Sequence, residues 1–557
     1  MNRRALCAAV LAVACSAAFG RTALHGFLFW DDRAFIAENP LIAHPSAASL
    51  LALWTTPLHD LYAPLTYTLW GLLAAVFGPK PWAFHLTNVA LHTLNAALVF
   101  AVLRRLVTED DGRAALAGAL LFAVHPVQSE AVAWASEAKD LLSALFSLLA
   151  IRQYLVFREG ENRRAYLWAS GAFACALLAK PSAVVAPVLL VILNRGIQRR
   201  DWAGSLRGLS PWFVAAAAFT LIAAHVQPAA GLHFVAPVWL RPAIALDALT
   251  FYLGKLVLPL HLIPDYGRTS QSVVSSGALA YTWIPAAALL AAGWVLRQKL
   301  PWMAAAVALF VAALLPVLGL VPFDFQYYSN VADHYLYLAM IGPALGLAFA
   351  CARPAPLARR ILVPLALASL LASSFLYASH WKDDATLYAH TLAVNPRSFM
   401  AHNNLGQMLE EEGRFEDALS HYRAALEADP GGQDALNNIG NVLYKEGRYD
   451  EAIRHYADVI GRSSPAEGLT RTAARMHNNL GAAYLKKSLY DGAAIEFQRA
   501  MAIDPDYLEP YYNLALVLMA FGRYAEAIPV LRRGLVVNPD HAELLRQLAL
   551  AMAKSGG

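Results

Sequence analysis

Apolar runs recur through the first 380 residues, near 5–20, 84–103, 114–131, 141–157, 165–180, 181–194, 211–226, 279–296, 302–321, 335–352 and 361–379. Hydrocarbon offers a backbone no water to bond with. Runs of about 20 apolar residues must therefore close their hydrogen bonds internally, as helices. That excludes an ordinary soluble domain for this stretch, and a hydrophobic content of 58% with 15% charged residues agrees. Charged side chains are sparse before residue 400 and dense after it, so a soluble part follows the membrane part. The net charge of +4 comes from short basic clusters between apolar runs. None forms a face for phosphate backbones, which excludes nucleic acid as a partner class. Cys7, Cys15, Cys175 and Cys351 all lie inside apolar runs, which argues against a disulfide framework or a cysteine-ligated metal.

Basic residues mark the cytoplasmic side of a membrane protein. Arg3/Arg4, Arg104/Arg105/Arg113, Arg158/Arg163/Arg164, Arg195/Arg199/Arg200/Arg207, Arg297/Lys299 and Arg353/Arg359/Arg360 mark successive inner loops. The outer segments are then 21–83, the His125–Asp140 region, 227–241 and 322–334. Segment 242–263 breaks the alternation and is read as interfacial or re-entrant. The count is about 11 spans, with the N-terminus cytoplasmic and the C-terminal part on the outer, periplasmic side of a bacterial inner membrane or its equivalent. The first run, with its basic flank and small residues near Ala18, also fits an export signal, although a multispan chain needs none.

Ionisable residues beside such runs are expensive and are functional candidates by default. Asp31 and Asp32 follow the aromatic run Phe27–Trp30 at the mouth of the first span. Their plain alternative is a helix cap or topological stop. A second cluster contains His125, Glu130, Glu137, Lys139 and Asp140, and its plain alternative is a solvated loop with internal ion pairs. Asp333 and His334 sit among Tyr327, Tyr328, Tyr335 and Tyr337, which also fit an interfacial aromatic belt. Lys180-Pro181 reads as a connecting hairpin, and His85, His92 and His225 as locally bonded. No recognisable metal-ligand spacing demands a metal, and whether one binds stays open.

From about residue 381 the pattern changes to a repeat of about 34 residues. Leu405-Gly406 leads to Gly413, Ala418, Tyr422, Ala425 and Pro430. Ile439-Gly440 leads to Gly447, Ala452 and Tyr456. Leu480-Gly481 leads to Tyr484, Ala493, Phe497, Ala500 and Pro505, and Leu514-Ala515 to Gly522, Ala527, Leu531 and Pro539. This is the tetratricopeptide pattern, with small residues where helices touch and a large side chain filling the gap. An insertion around Arg462–Arg471 lengthens one turn. The expected division is a membrane domain over 1–380, a linker with a partial repeat helix over 381–398, and about four repeats plus a capping helix over 399–557. The fold class is all-α: a polytopic helix bundle followed by an α-solenoid. Asn404, Asn438, Asn479 and Asn513 precede the repeat motifs. Stacking would align their amides on the concave face, where they can hold an extended peptide or simply bond between helices.

These motifs together resemble the transmembrane and tetratricopeptide repeat family of protein O-mannosyltransferases, across nearly the whole chain. The resemblance rests on Phe29-Trp30-Asp31-Asp32 with Asn39-Pro40, on Pro64-Leu65-Thr66, and on His125-Pro126 through Glu130 and Trp134. Lys139-Asp140-Leu141-Leu142, Pro264-Asp265-Tyr266 and Tyr335-Leu336-Tyr337 complete it. Glu137-Ala138, Asp333-His334 and Pro181 depart from the residues common in the family.

The resemblance implies a type C glycosyltransferase that moves a sugar, mannose first among candidates, from a polyprenyl-phosphate donor to Ser or Thr of a protein. Asp32, with Asp31 second, is the expected general base, Lys139 and then His334 the phosphate partners, and Glu130 and His125 the residues shaping the sugar or acceptor site. Membrane lipid surrounds the bundle, and no cofactor is required. Two alternatives stay open: a carrier-dependent glycan ligase with a glycan or lipid acceptor, and a non-catalytic scaffold whose repeats bind proteins.

Overall fold

The computed structural model describes residues 3–58, 61–107, 112–226, 234–353, 357–463 and 470–556. Part of the 227–241 outer segment and most of the insertion around 462–471 lie outside these residues, as do the Arg207 side chain and residues 354–356 of the last basic loop. The described elements are helices, with one isolated antiparallel bridge between Leu58 and Leu61. The chain divides into two units, the first running to Pro396 and the second from Arg397. Asp384–Val394, capped by Asp383 accepting from Thr386 N–H, thus groups with the membrane unit.

Among the described residues of the first unit, six helices are long and apolar enough to cross a membrane: Arg3–Leu24, Pro81–Leu106, Ala135–Gly160, Gly208–Val226, Ala278–Leu296 and Leu357–Trp381. Two bent pairs raise that to eight if each is one span, and three shorter apolar helices accompany them. The runs near 114–131 and 335–352, expected to be continuous, are these bent pairs. The first turns by 51° between Arg113–Val124 and Pro126–Ala133, and the second by 48° between Asp333–Ala339 and Ile341–Cys351. Prolines explain both. Pro126 has no N–H to continue the helix, and the Pro343 ring would meet the Ala339 carbonyl in an unbroken one. Each bend brings polar side chains, Glu130 and His334 among them, into a buried position.

Gly118 lets Arg113–Val124 pass close to Ile341–Cys351, because a Cβ there would strike the Ala344 carbonyl. Small residues at such crossings are what hold apolar helices together where no water drives them. Asn88 and Asn95 lie on one face of Pro81–Leu106. They donate to the carbonyls of Trp134 (2.8 Å) and Leu141 (2.9 Å), tying that helix to the second polar cluster.

The expected first outer loop is folded. It contains Pro40–Ala43, Ala47–Thr55 and Pro64–Phe77, and its Phe35, Ile36, Tyr67 and Trp70 form a core with Phe84, Ala135 and Ala138. Segment 242–263 holds a helix, Arg241–Val257, whose buried Asp247 pairs with Arg268 at 2.6 Å.

In the second unit, Phe399–Glu411 pairs with Phe415–Ala428, Gln433–Lys445 with Tyr449–Arg462, Arg471–Lys486 with Tyr490–Ile503, and Glu509–Ala520 with Tyr524–Val537. Ala542–Ser555 closes the series. Tyr422, Tyr456 and Phe497 fill the space a Cβ would need on Gly406, Gly440 and Gly481. Burying such a ring contributes about 1.5–3 kcal/mol.

Candidate active site

Asp32 is fully buried. Its Oδ2 accepts from Leu28 N–H at 3.0 Å and its Oδ1 from Ser136 N–H at 2.8 Å. One carboxylate thus fastens the first polar segment to the second. Burial pushes it up to about 7, against the pull of the two amide hydrogen bonds. Asp31 points elsewhere: 23% of its side chain is exposed and its Oδ2 lies 3.5 Å from Lys139 Nζ. Asp384 accepts from Phe29 N–H at 2.8 Å, so the approach to the acid pair is held from both sides. Burial raises the Asp384 carboxyl above its ordinary range.

From Lys139 the ion pairs run onward. Lys139 Nζ lies 3.0 Å from Glu137 Oε1, Lys180 Nζ is 2.7 Å from Asp140 Oδ1, and Lys180 is 3.9 Å from Glu137 Oε2. Glu137 and Asp140 are three residues apart at the start of the long helix Ala138–Gly160, which sets them on one face. Lys180 follows Arg163–Ala179, whose last carbonyl accepts from the Thr66 hydroxyl at 2.9 Å. Thr66 in the Pro64-Leu65-Thr66 motif therefore positions the strand of chain that carries Lys180.

His334 closes the cluster from the second bend. Its Nδ1 lies 2.9 Å from Glu130 Oε1, and its backbone N–H donates to Oε2 at 3.1 Å. Glu137, Asp140 and His334 each offer one ligand atom, all within 4.8 Å of one another, the one such group of His, Cys, Asp and Glu among the described residues. Asp140, Lys180, Ser143, Ser182, His334 and Tyr335 line a small cavity. Trp30 stacks on Trp134 at 5.1 Å beside it, with Lys139 over the Trp134 ring at 5.5 Å.

The structure therefore brings together Asp31, Asp32, Lys139, Glu130 and His334. It does not bring in His125, whose Nε2 lies 3.1 Å from the Leu256 carbonyl, away from the ion pairs. His92 bonds to Tyr337 and to the Ala123 carbonyl, a local role as expected. Tyr337 is buried and held by His92 and Asn95, so it is no part of a surface belt. Tyr266, in the later Pro-Asp-Tyr motif, donates to Asp333 at 2.8 Å, and burial holds its phenol well above its usual range. Asp384 was not picked out from sequence, Thr66 only as part of a family-like motif, and Lys180 only as part of a hairpin. Lys180 carried a signal, being a cation after an apolar run, but the following proline offered a simpler explanation.

In the repeat unit the asparagines bond to each other. Asn438, Asn479 and Asn513 donate to Asn403, Asn437 and Asn478 at 3.1, 3.0 and 3.0 Å, one repeat to the next. Asn404 is buried beside Asn403 at the start of this ladder. The structural alternative accounts for one N–H of Asn438 and of Asn513 and for both of Asn479, which also donates to Asn441 at 2.8 Å.

The dolichyl-phosphate-mannose-protein mannosyltransferase family matches residues 62–227, and tetratricopeptide repeat families match 369–433, 433–506 and 484–553. Protein O-mannosyl-transferase Tmtc1 of Drosophila melanogaster is 36% identical over 176 residues, covering 29% of this chain and 20% of that protein. TMTC3 of Mus musculus is 33% identical over 146 residues, covering 25% and 15%. The Caenorhabditis elegans protein O-mannosyl-transferase F38B6.6 aligns over 446 residues at 24% identity, covering 72% and 59%. The matched stretch is thus a fifth or less of the length of the first two relatives. The chain is an integral membrane protein that joins a segment similar to the mannosyltransferase family to tetratricopeptide repeats, and parts of it are similar to protein O-mannosyl-transferases.

Proposed function

We propose that this protein is a membrane glycosyltransferase that passes a sugar, mannose first among candidates, from a polyprenyl-phosphate donor to a Ser or Thr hydroxyl of a protein. The observation that carries this reading is the chain of ion pairs Asp31–Lys139–Glu137–Lys180–Asp140 beside a cavity among apolar helices. Such a charged group in an apolar setting costs energy unless a polar substrate uses it. A lipid-borne phosphate sugar is a substrate whose polar and apolar ends match that setting.

Asp31 is the general base and Asp32 its positioning residue, because a base must reach substrate and Asp32 spends both oxygens on backbone amides. This reverses the order the sequence suggested. The acceptor oxygen attacks C1 of the sugar, its proton passes to Asp31, and the bond from C1 to the phosphate oxygen breaks with inversion. The polyprenyl phosphate leaves with the electron pair, and Lys139 and Lys180 offset its charge. General-base assistance contributes about 10²–10⁴-fold, and a positioned cation at the leaving oxygens about 10²–10³-fold. His334 and Glu130 shape the sugar pocket, and His125, bonded to the Leu256 carbonyl, is left out of it.

The repeats bind the acceptor protein. The row Asn404, Asn438, Asn479 and Asn513 meets the peptide backbone. The distribution of basic residues supports a cytoplasmic N-terminus and repeats on the outer side.

The test is a panel of labelled polyprenyl-phosphate sugars supplied to the purified chain with Ser/Thr peptides and with glycan acceptors. Label on peptide from a mannosyl donor supports the reading. Label on glycan only favours a ligase, and no transfer from any donor leaves a protein-binding scaffold.

A further inference from the structure

The ion pairs leave part of the cluster unsatisfied. Lys139 takes Glu137 Oε1 and Lys180 takes Asp140 Oδ1, at 3.0 and 2.7 Å. The other oxygens, Glu137 Oε2 and Asp140 Oδ2, are buried and accept from no N–H group, the two carboxyls lie within hydrogen-bonding reach of each other, and Lys180 approaches the first only to 3.9 Å. Glu137 is 1% exposed. A buried acceptor left unpaired costs about 1–3 kcal/mol, more when charged, so such atoms call for a ligand.

His334 completes a recurring arrangement. Its Nδ1 is taken by Glu130 at 2.9 Å, which directs Nε2 away from Glu130. Metal-bound histidines almost always give their other ring nitrogen to a carboxylate in this way, which fixes the tautomer and orients the ring. The charges point in the same direction. Three carboxyl groups, Asp31, Glu137 and Asp140, share two ammonium groups, Lys139 and Lys180, with Glu130 beside them on His334, so the lysines alone do not match the acids.

We propose that Glu137, Asp140 and His334 form a site for a divalent first-row cation, with Glu130 holding the His334 ring. Two carboxylates and an imidazole suit Mn²⁺ or Zn²⁺ better than Mg²⁺ or Ca²⁺, which prefer oxygen alone. Three protein ligands leave coordination positions open. Asp140 and His334 both line the cavity, so an open position faces it. Resting on the transferase reading, the ligand taken there is a phosphate oxygen of the donor, the cation adding to what the lysines provide. The absence of metal-ligand spacing in the sequence is no obstacle, since His334 joins the pair from a distant helix.

Binding is measured without donor, so its outcome is independent of sugar transfer. The full chain in detergent is stripped with a chelator, and bound Mn²⁺ is counted by electron paramagnetic resonance, with Zn²⁺ tested by competition. The expected result is about one Mn²⁺ per chain, displaced by Zn²⁺, with affinity lowered about 10–100-fold in Glu130→Gln. Asp140→Asn and His334→Gln lower it at least as far, and Asn438→Ala in the repeats leaves it unchanged. The thermal midpoint of the wild type rises with Mn²⁺, and that rise disappears in Asp140→Asn and His334→Gln. No bound Mn²⁺ or Zn²⁺ at millimolar concentration, or equal binding in all these variants, overturns the site. A bound cation with no transfer from any donor leaves the site standing and removes the transferase reading.

Discussion

Replacing Asp32 by Asn keeps its size but offers one acceptor oxygen where Leu28 and Ser136 present two N–H groups. One buried donor is then left unpaired, at a cost of about 1–3 kcal/mol. A lowered thermal midpoint of Asp32→Asn in detergent is the expected outcome. Its pH dependence has a definite sign. Burial raises the folded-state carboxyl from 3.8 to about 7, so the native state holds the proton more tightly than the unfolded chain. The stabilisation this brings is complete below pH 4 and is lost as pH rises through about 7. The midpoint of the wild type relative to Asp32→Asn falls over that window, and a flat difference would contradict the burial argument. Lys180 belongs to the same scale. Lys180→Met lowers kcat/KM for a lipid-phosphate donor about 10²–10³-fold, measured with the donor that transfers best.

At the scale of elements, close crossings and bends set the site. Gly118→Leu forces Arg113–Val124 away from Ile341–Cys351, since even a Cβ meets the Ala344 carbonyl. Overpacking of this kind costs about 1–3 kcal/mol, read as a lower midpoint or loss of monodisperse protein on gel filtration. In the repeats, Asn438→Ala removes the donor to Asn403 and costs about 1 kcal/mol of solenoid stability. The repeat pairing was legible before any coordinates, because Gly406 with Tyr422 and Gly440 with Tyr456 recur at fixed offsets. The break at Pro126 was legible in principle, since a proline sat inside a run read as continuous. Pro64–Phe77 was hidden: its 14 residues are too short for an independent span, so they passed for outer loop. The asparagine row was visible too, but not that its members bond to the neighbouring repeat.

Over the whole molecule, division into a membrane part and a solenoid follows from where the charges lie. The acid pair and the Lys139 cluster were legible for the same reason, being polar residues in an apolar text. Their assembly was not. Thr66 reaches Ala179, His334 reaches Glu130 and Asp384 reaches Phe29 across 113, 204 and 355 residues, and no local pattern encodes such contacts. The repeat unit has its own cores around Tyr422, Tyr456 and Phe497. Residues 397–557 alone are accordingly expected to give a helical circular dichroism spectrum with a thermal transition, and an unstructured spectrum would show that the solenoid depends on the membrane part.

The measurement that bears most directly on the central claim is single-turnover transfer from a mannosyl-phosphoryl polyprenol, with Asp31→Asn set against the wild type and folding followed by thermal midpoint. The predicted result is a rate at least about 10²-fold lower in Asp31→Asn at an unchanged midpoint. Transfer by Asp31→Asn at the wild-type rate would contradict it.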